Sequence, residues 1–428
     1  MLKHGDVDFN YIPLSFGGDN EKFLEVTYNK NLPAFAGYKA ILIKDTIAGP
    51  GLDDEAYLAN RGYAPDNKAR INTWVVRFPR YVLAEFNTHR VFSRNSASSR
   101  ARSVKTTIRD VMVDPVIPIF TKNQKGMSGV IMSGSEYEEA KDLWLESRDH
   151  AVRGALKLLL GEGYIDAEIS DREVAENYEK YIDLYYEEYT AEGNDRMLSV
   201  HKQNFNRLLE PFMWQEVVMS SNTLVNFMEL REGLAYDLED GPNTAQPEIA
   251  AIAFLMNEAI NVHTPHISNV HAPFISIEEQ ANLNNATLEE LIEIGMKSSA
   301  SAAQVSYHDK ATETKNTASV ALGKRLLKLR HMSPFEHFAI ARNIGGYFDG
   351  EEFKNNPLSS NFGSEWVQLR PILESLENVQ RVRAYHPEQT TSKVEGDFIP
   401  NDSDFVKKGS HYGFDWGRTP EAGEVSAL

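Results

Sequence analysis

The sequence contains no cysteine. That excludes disulfides, thiolate-held metals, iron–sulfur clusters and every reaction that starts from a thiolate nucleophile. No uninterrupted apolar run approaches the ~18 residues that span a bilayer. The opening Met1-Leu2-Lys3-His4-Gly5-Asp6 also lacks the apolar core of a signal peptide. Positive charge is scarce, since 44 Lys and Arg face 62 Asp and Glu, a formal net charge of −18. An acidic excess of this size argues against a general nucleic-acid or anionic-membrane surface, because phosphate attraction needs net or locally dense positive charge. No Gly-x-Gly-x-x-Gly follows a strand pattern, which argues against a Rossmann flavoprotein. Together these absences lead us to expect a cytoplasmic protein that binds neither membrane nor nucleic acid.

What is present is enough for a core: 428 residues, 42% hydrophobic and 10% aromatic. The length allows two or three domains, or one fold with large insertions. Residues 1–40 are punctuated by Pro13, Gly17, Gly18, Pro33 and Gly37 and read as irregular. Strands are expected over 37–46 and 70–78, and again over 337–347. Pro79 suits the first position of a helix that buries Val82, Leu83, Phe86 and Val91. A long helix is expected from a capping box at Ser135 and Glu138 to Gly161. Further helices are expected near 201–209, 214–230, 248–262 and 317–331. Residues 162–195 are acidic and rich in tyrosine, which reads as a solvated helical insertion with a tyrosine-lined face. The tail over 394–428 reads as loosely structured.

One segment breaks the acidic background. Residues 87–109 hold no acid, but carry His89, Arg90, Arg94, Arg100, Arg102, Lys105 and Arg109 among serines, threonines and asparagines. Guanidinium forks and hydroxyls together offer donors in several directions, as a phosphate group requires. A solvated basic face and a nucleic-acid surface are the alternatives to a small anionic ligand. His263, His266 and His271 are close in sequence, but Pro265 breaks helical spacing and no His-Glu-x-x-His pattern supports a metal. They read as a structural or ligand-lining loop.

The run Thr88-His89-Arg90-Val91-Phe92-Ser93-Arg94-Asn95-Ser96-Ala97-Ser98-Ser99-Arg100 resembles the signature of flavin-dependent thymidylate synthases, the ThyX type. Two further blocks resemble the same family. One is Arg207-Leu208-Leu209-Glu210-Pro211, Asn226-Phe227-Met228-Glu229-Leu230-Arg231 and Ala245-Gln246-Pro247-Glu248-Ile249. The other is Ala303-Gln304-Val305-Ser306 with His331-Met332-Ser333-Pro334-Phe335-Glu336-His337. The family's usual order places this last block first, so the pattern here is circularly permuted, like long variants associated with bacteriophage genomes. Termini that lie close together on a domain surface make such a rearrangement physically accessible. The implied organisation is one domain over 1–428, with 78–109 and 201–262 ahead of 298–347.

The resemblance implies an α/β (α+β) fold, with a curved antiparallel or mixed sheet flanked by long helices in a homotetramer whose sites are shared between subunits. It implies FAD as cofactor, methylenetetrahydrofolate as cosubstrate, a reduced nicotinamide as electron source and a pyrimidine deoxynucleotide monophosphate as substrate. The simplest reaction is dUMP to dTMP. Hydroxymethylation of dUMP or dCMP for modified phage DNA is the nearest rival, and a non-catalytic nucleotide-binding homologue is a rival of another class. Arg231, Ser98 and His331 carry over as catalytic positions. Glu85, Ser99, Arg100 and Arg207 join Ser98 and Arg231 around the substrate. His89, Arg90, Val91, Asn95, Ser96, Asn222, Asn226, Ser306, Ser333 and Glu336 carry over as flavin-lining positions, with no metal.

Several residues depart from the family pattern. Thr88 stands where the first Arg of Arg-His-Arg is usual, Ser96 where Glu is, and Gln304 where Arg is. Asn222 and Thr244 replace an Arg and a His, and Glu85 replaces a Gln. A carboxylate at Glu85 facing the base would repel uracil O4 and accept from a cytosine amino group. A surface Glu is the alternative.

Overall fold

The computed structural model describes residues 2–13, 22–48, 70–98, 102–123, 129–189, 197–231, 245–281, 283–304, 319–341, 362 and 366–375. In chain order the strands are β1 (Val7–Pro13), β2 (Lys22–Tyr28), β3 (Lys39–Ile47), β4 (Arg70–Pro79), β5 (Ser93–Ser96), β6 (Thr121–Lys122), β7 (Val130–Ile131), β8 (Trp214–Ser221), β9 (His266–Ile267), β10 (Val270–His271), β11 (Ala339–Ala341) and β12 (Trp366–Gln368). The helices are α1 (Leu83–Phe86), α2 (Val104–Val113), α3 (Gly134–Leu160), α4 (Asp171–Glu176), α5 (Tyr178–Tyr189), α6 (Lys202–Leu209), α7 (Val225–Arg231), α8 (Pro247–Val262), α9 (Ile277–Gln280), α10 (Leu288–Gln304), α11 (Val320–Lys328) and α12 (Leu369–Ser375). None is long and apolar enough to cross a membrane among the described residues.

The main sheet runs β1-β2-β3-β4-β8-β5, antiparallel throughout, with β9 pairing in parallel to β3. The fold is therefore mixed α/β. All ten residues of β4 are buried, because both sheet faces are covered. Alternation along the strands sorts side chains between the two covers. Trp74, Val76, Phe78, Val217 and Met219 pack with α8, whose Ile249, Ile252 and Leu255 are fully buried. Val75 and Val218 face the other way, toward Phe274 and Ala302 of α10. A smaller sheet, β10-β11-β12, closes that second side with α10, α11 and α12.

Helices α2 to α6 form a separate core, with Ile108, Val152, Leu156, Leu160, Val174, Ile182 and Phe205 at its centre. The acidic segment belongs to it. Tyr178 and Tyr181 are buried there, so the tyrosine face of the insertion is packed rather than solvated, while Tyr186 is exposed.

Other expectations are corrected. Residues 214–230 are not one helix, for Trp214–Ser221 is a central strand followed by the short helix Val225–Arg231. A strand buried on both faces reads as a continuous apolar run, and its period is not visible in sequence. Residues 1–40 include the β1–β2 hairpin, whose partners run from Val7↔Tyr28 to Pro13↔Lys22. Pro79 ends β4 instead of opening a helix, and a 3-10 turn over Arg80–Val82 precedes α1. Val91 lies exposed beyond that helix. Helix α3 starts at Gly134 with Ser133 as its N-cap, two residues before the expected cap at Ser135. His337 belongs to a turn and only Ala339–Ala341 forms the strand; residues 342–347 lie outside the described residues, as does the tail over 394–428.

Two local features hold the sheet. Gly37 has φ +89° just before β3, and a Cβ there would run into Cζ2 of Trp214. That indole is fixed by Arg77, 4.4 Å from its ring centre, and by the edge of Tyr38. Further along, the fully buried Arg70 donates to Asp45 from Nε at 2.9 Å and from Nη2 at 2.6 Å. Asn72 Nδ2 adds a third donor at 2.6 Å, and His263 Nδ1 lies 3.2 Å from the same carboxylate.

Gly37→Ala combines backbone strain with overpacking, so a loss of about 2–4 kcal/mol in urea unfolding is expected. Asp45→Ala removes a fully buried carboxylate that accepts from both Arg70 and Asn72, and a loss of about 3–5 kcal/mol is expected. Wild-type midpoints for either variant would contradict these packing assignments.

Candidate functional site

β5 lies at the end of the main sheet and pairs with β8 in the register Ser93↔Ser220, Arg94↔Met219, Asn95↔Val218, Ser96↔Val217. Its side chains alternate between the two covers. Arg94 and Ser96 share the face of Met219 and Val217, on the α8 side. Ser93 and Asn95 share the face of Ser220 and Val218, on the α10 side.

On the α8 side, α1 and α7 bring together residues that are 142 and 146 positions apart. Arg231 Nε donates to His89 Nε2 at 3.1 Å, and Arg231 Nη1 donates to Glu85 Oε1. Because His89 Nε2 accepts, its ring proton sits on Nδ1. The imidazole stacks on Phe92 and meets Phe227 edge to face. Burial first, then the neighbouring Arg231 and Arg94 cations, lowers the His89 pKa to about 4, so the ring is neutral near pH 7. Arg94 folds back and donates to the carbonyls of Asn87 at 3.1 Å and His89 at 2.9 Å, fixing the turn that carries His89.

On the α10 side, Asn95 Nδ2 donates to the Ala302 carbonyl at 3.0 Å, and Ser333 Oγ donates to Asn95 Oδ1 at 3.2 Å. Gln368 Nε2 bridges Ser93 Oγ at 2.7 Å and the Glu336 carbonyl at 2.6 Å. Glu336 is paired with Arg370, which also donates to Glu374 at 3.1 Å. Burial pushes the Glu336 carboxyl above the usual carboxylate range, with Arg370 opposing the shift. Gln304 Nε2 and His337 Nε2 are buried here without a hydrogen-bond partner among the described residues.

A buried polar chain extends from the second cluster across the sheet. Thr46 Oγ1 lies 2.9 Å from His271 Nδ1, and His271 Nε2 lies 2.7 Å from Thr73 Oγ1. Thr73 then meets Ser220 Oγ at 2.6 Å, and Ser220 meets His337 Nδ1 at 2.8 Å. Sequence reasoning missed this chain. Thr73 and Ser220 become neighbours only through strand register, which no local pattern encodes.

The remaining expected residues are dispersed. Arg90 and Val91 are exposed after α1, and Ser98 is exposed after β5. Arg207 is exposed on α6 and Asn226 on α7, whereas Asn222 is buried and donates to the Phe362 carbonyl at 3.0 Å. His331 is half-buried ahead of the Ser333–Glu336 turn. Ser99, Arg100, Ser306 and Thr244 lie outside the described residues. The basic segment is largely neutralised. Arg102 and Arg109 pair with Asp110, Lys105 pairs with Asp183, and Arg94 is committed to carbonyls. The expected anion site therefore cannot draw on the whole island, and among the described residues Arg90, next to His89 in the chain, is exposed. Of the three clustered histidines, His263 faces Asp45, His271 is in the hydroxyl chain and His266 is in β9.

Two crystal structures of a UMP/dUMP methylase, PolB from Streptomyces cacaoi, are similar to this chain. The one bound with 5-Br UMP is 14% identical, covering 52% of this chain and 87% of the other, and the one bound with 5-Br dUMP is 15% identical, covering 52% and 90%. The TM-score is 0.34 in both cases. No protein-family model matches the chain, and no curated protein matches it.

Three imidazoles are held neutral by burial, with His89 lowered to about 4, His337 to about 3, and His271 lowered as well. The unfolded chain, with histidines near 6.5, takes up protons that the folded chain refuses. Their contribution is complete above about pH 6.5 and declines below it, by about 1.4 kcal/mol per pH unit per imidazole until the folded pKa is reached. Urea unfolding between pH 7 and 5 should show this loss, and His337→Asn should reduce the slope by about one proton. Equal slopes for the two proteins would contradict the buried neutral ring.

Proposed function

We propose that this chain is a flavin-dependent transferase that moves a one-carbon unit from methylenetetrahydrofolate to C5 of a pyrimidine deoxynucleotide monophosphate. The observation that carries the reading is the convergence on β5 of residues drawn from all three sequence blocks. Glu85 and His89 meet Arg231 on one face, and Asn95 meets Ser333 on the other. Residues separated by as many as 238 positions have no local reason to adjoin, so a shared site gives their pattern a physical meaning.

The chemistry needs C5 of the ring made nucleophilic, and a chain without cysteine has no thiolate to add at C6. Arg231 would hold the O2/N3 edge and stabilise the negative charge that develops on the ring. Its aim is set beforehand by His89, which accepts from Nε, and by Glu85, which accepts from Nη1. A neutral His89 keeps the positive charge on the guanidinium, where it is needed.

The residues on the α10 side fit a polar-edged ring. Gln304 Nε2, buried without a partner among the described residues, is a donor seeking an acceptor, and His337 Nε2, likewise unpartnered among them, can serve in either sense. Asn95, Ser333, Glu336 and Gln304 would hold the isoalloxazine, with Arg90 toward the phosphates. When bound, reduced FAD would supply hydride and carry the one-carbon unit, with a reduced nicotinamide as electron source. Because the two clusters face opposite sides of one sheet, the reading has the complete site assembled around the β5 edge in a homotetramer.

The test is an assay of the full chain with FAD, reduced nicotinamide, methylenetetrahydrofolate and each of dUMP and dCMP, with products weighed by mass spectrometry. A C5-modified nucleotide that forms only with FAD is expected. Arg231→Ala should reduce kcat about 10²–10³-fold while leaving flavin absorbance in place. A protein that cannot take up added FAD would falsify the flavin assignment.

A further inference from the structure

Glu85 and Arg231 together present a patterned edge, and the pattern selects a base. A guanidinium carries five N–H donors. One of Arg231's is taken by His89 and one by Glu85, which leaves three without a partner among the described residues. Glu85 spends Oε1 on Arg231, while its Oε2 takes part in no hydrogen bond among the described residues. Both side chains are partly exposed, at 19% for Arg231 and 24% for Glu85, so a ligand can reach them. The edge they offer reads acceptor, donor, donor, from the carboxylate across the guanidinium.

Cytosine presents the complement. Its N4 amino group donates, and N3 and O2 both accept, so all three positions can pair at once. Uracil presents acceptor, donor, acceptor. In the same pose its O4 lone pairs face the carboxylate and its N3–H faces a guanidinium N–H, two mismatches in three positions. A uracil that slides to give N3–H to Glu85 sets a carbonyl against the other flank of the carboxylate. Repulsion between a carboxylate and a carbonyl oxygen is not relieved by rotation, because a carboxylate has no proton to offer.

We propose that Glu85 is the specificity-determining residue of this site and that it selects a deoxycytidine monophosphate over a deoxyuridine monophosphate. The proposal rests on the reading of this site as one for a pyrimidine nucleotide. It narrows the substrate to the aminopyrimidine and assigns the choice to a side chain that bonds the base-binding arginine. Removing the negative charge while keeping the shape relieves one of the two uracil mismatches. The amide of Glu85→Gln can turn an N–H toward O4, which leaves only N3–H set against the guanidinium.

The experiment is equilibrium binding of dCMP, dUMP and the pyrimidin-2-one deoxynucleotide, which lacks any 4-substituent, to the full chain by calorimetry. Wild type should bind dCMP about tenfold or more tighter than dUMP. Glu85→Gln should shift that ratio toward dUMP by at least about tenfold, and should treat the pyrimidin-2-one nearly as wild type does. Glu85→Asp keeps the carboxylate and should keep the preference for dCMP at weaker affinity, which separates loss of charge from loss of packing. A wild-type preference for dUMP, or a ratio unmoved in Glu85→Gln, overturns the proposal and leaves the nucleotide reading standing. Failure of wild type to bind any of the three overturns both.

Discussion

The pairing of β5 with β8 is the constraint on which the site depends. Four residues, Ser93 to Ser96, are locked into register at the end of a sheet whose interior is covered on both faces. Alternation along a strand then leaves no freedom in where their side chains point. Arg94 must reach back over the turn that holds His89, and Asn95 must reach across to Ala302 and Ser333. A slip of one residue would exchange the two sets and dismantle both clusters.

The same geometry explains how a strongly acidic protein keeps a few cations at work. Most of its basic segment is consumed locally, by Asp110, by Asp183 and by backbone carbonyls. Arg231 is treated differently. It is partly exposed, oriented by a neutral imidazole beside a carboxylate that holds it in place, and three of its N–H groups have no partner among the described residues. A charge prepared in this way costs little reorganisation when a ligand's own charge develops, which is the condition for electrostatic catalysis.

Much of this was legible in sequence where the information is local. His89 and Arg231 could be singled out because each sits within a short block of distinctive side chains, but the resemblance put His89 on the flavin, and its meeting with Arg231 and Glu85 is visible only in the structure. Asn95 and Ser333 could be suspected for the same reason. Strand β8 was not legible, since Val217 and Val218 face two different cores and their apolar run carries no period. Nor was the burial of Tyr178 and Tyr181, which depends on α2, α3 and α6 packing around them. The hydroxyl–imidazole chain from Thr46 to His337 was hidden for a deeper reason. Its members are ordinary residues made neighbours by register and by the docking of a second sheet.

In the proposed function β5 is a partition, with a nucleotide site on one face and a flavin site on the other. Hydrogen–deuterium exchange of the full chain, with nucleotide alone and then with FAD alone, measures that partition directly. Nucleotide should protect residues 83–96 and 225–231, and FAD should protect residues 295–304 and 331–341, with overlap confined to 93–96. Protection of a single common segment by both ligands, or of the helical unit over 134–189 instead, would contradict it.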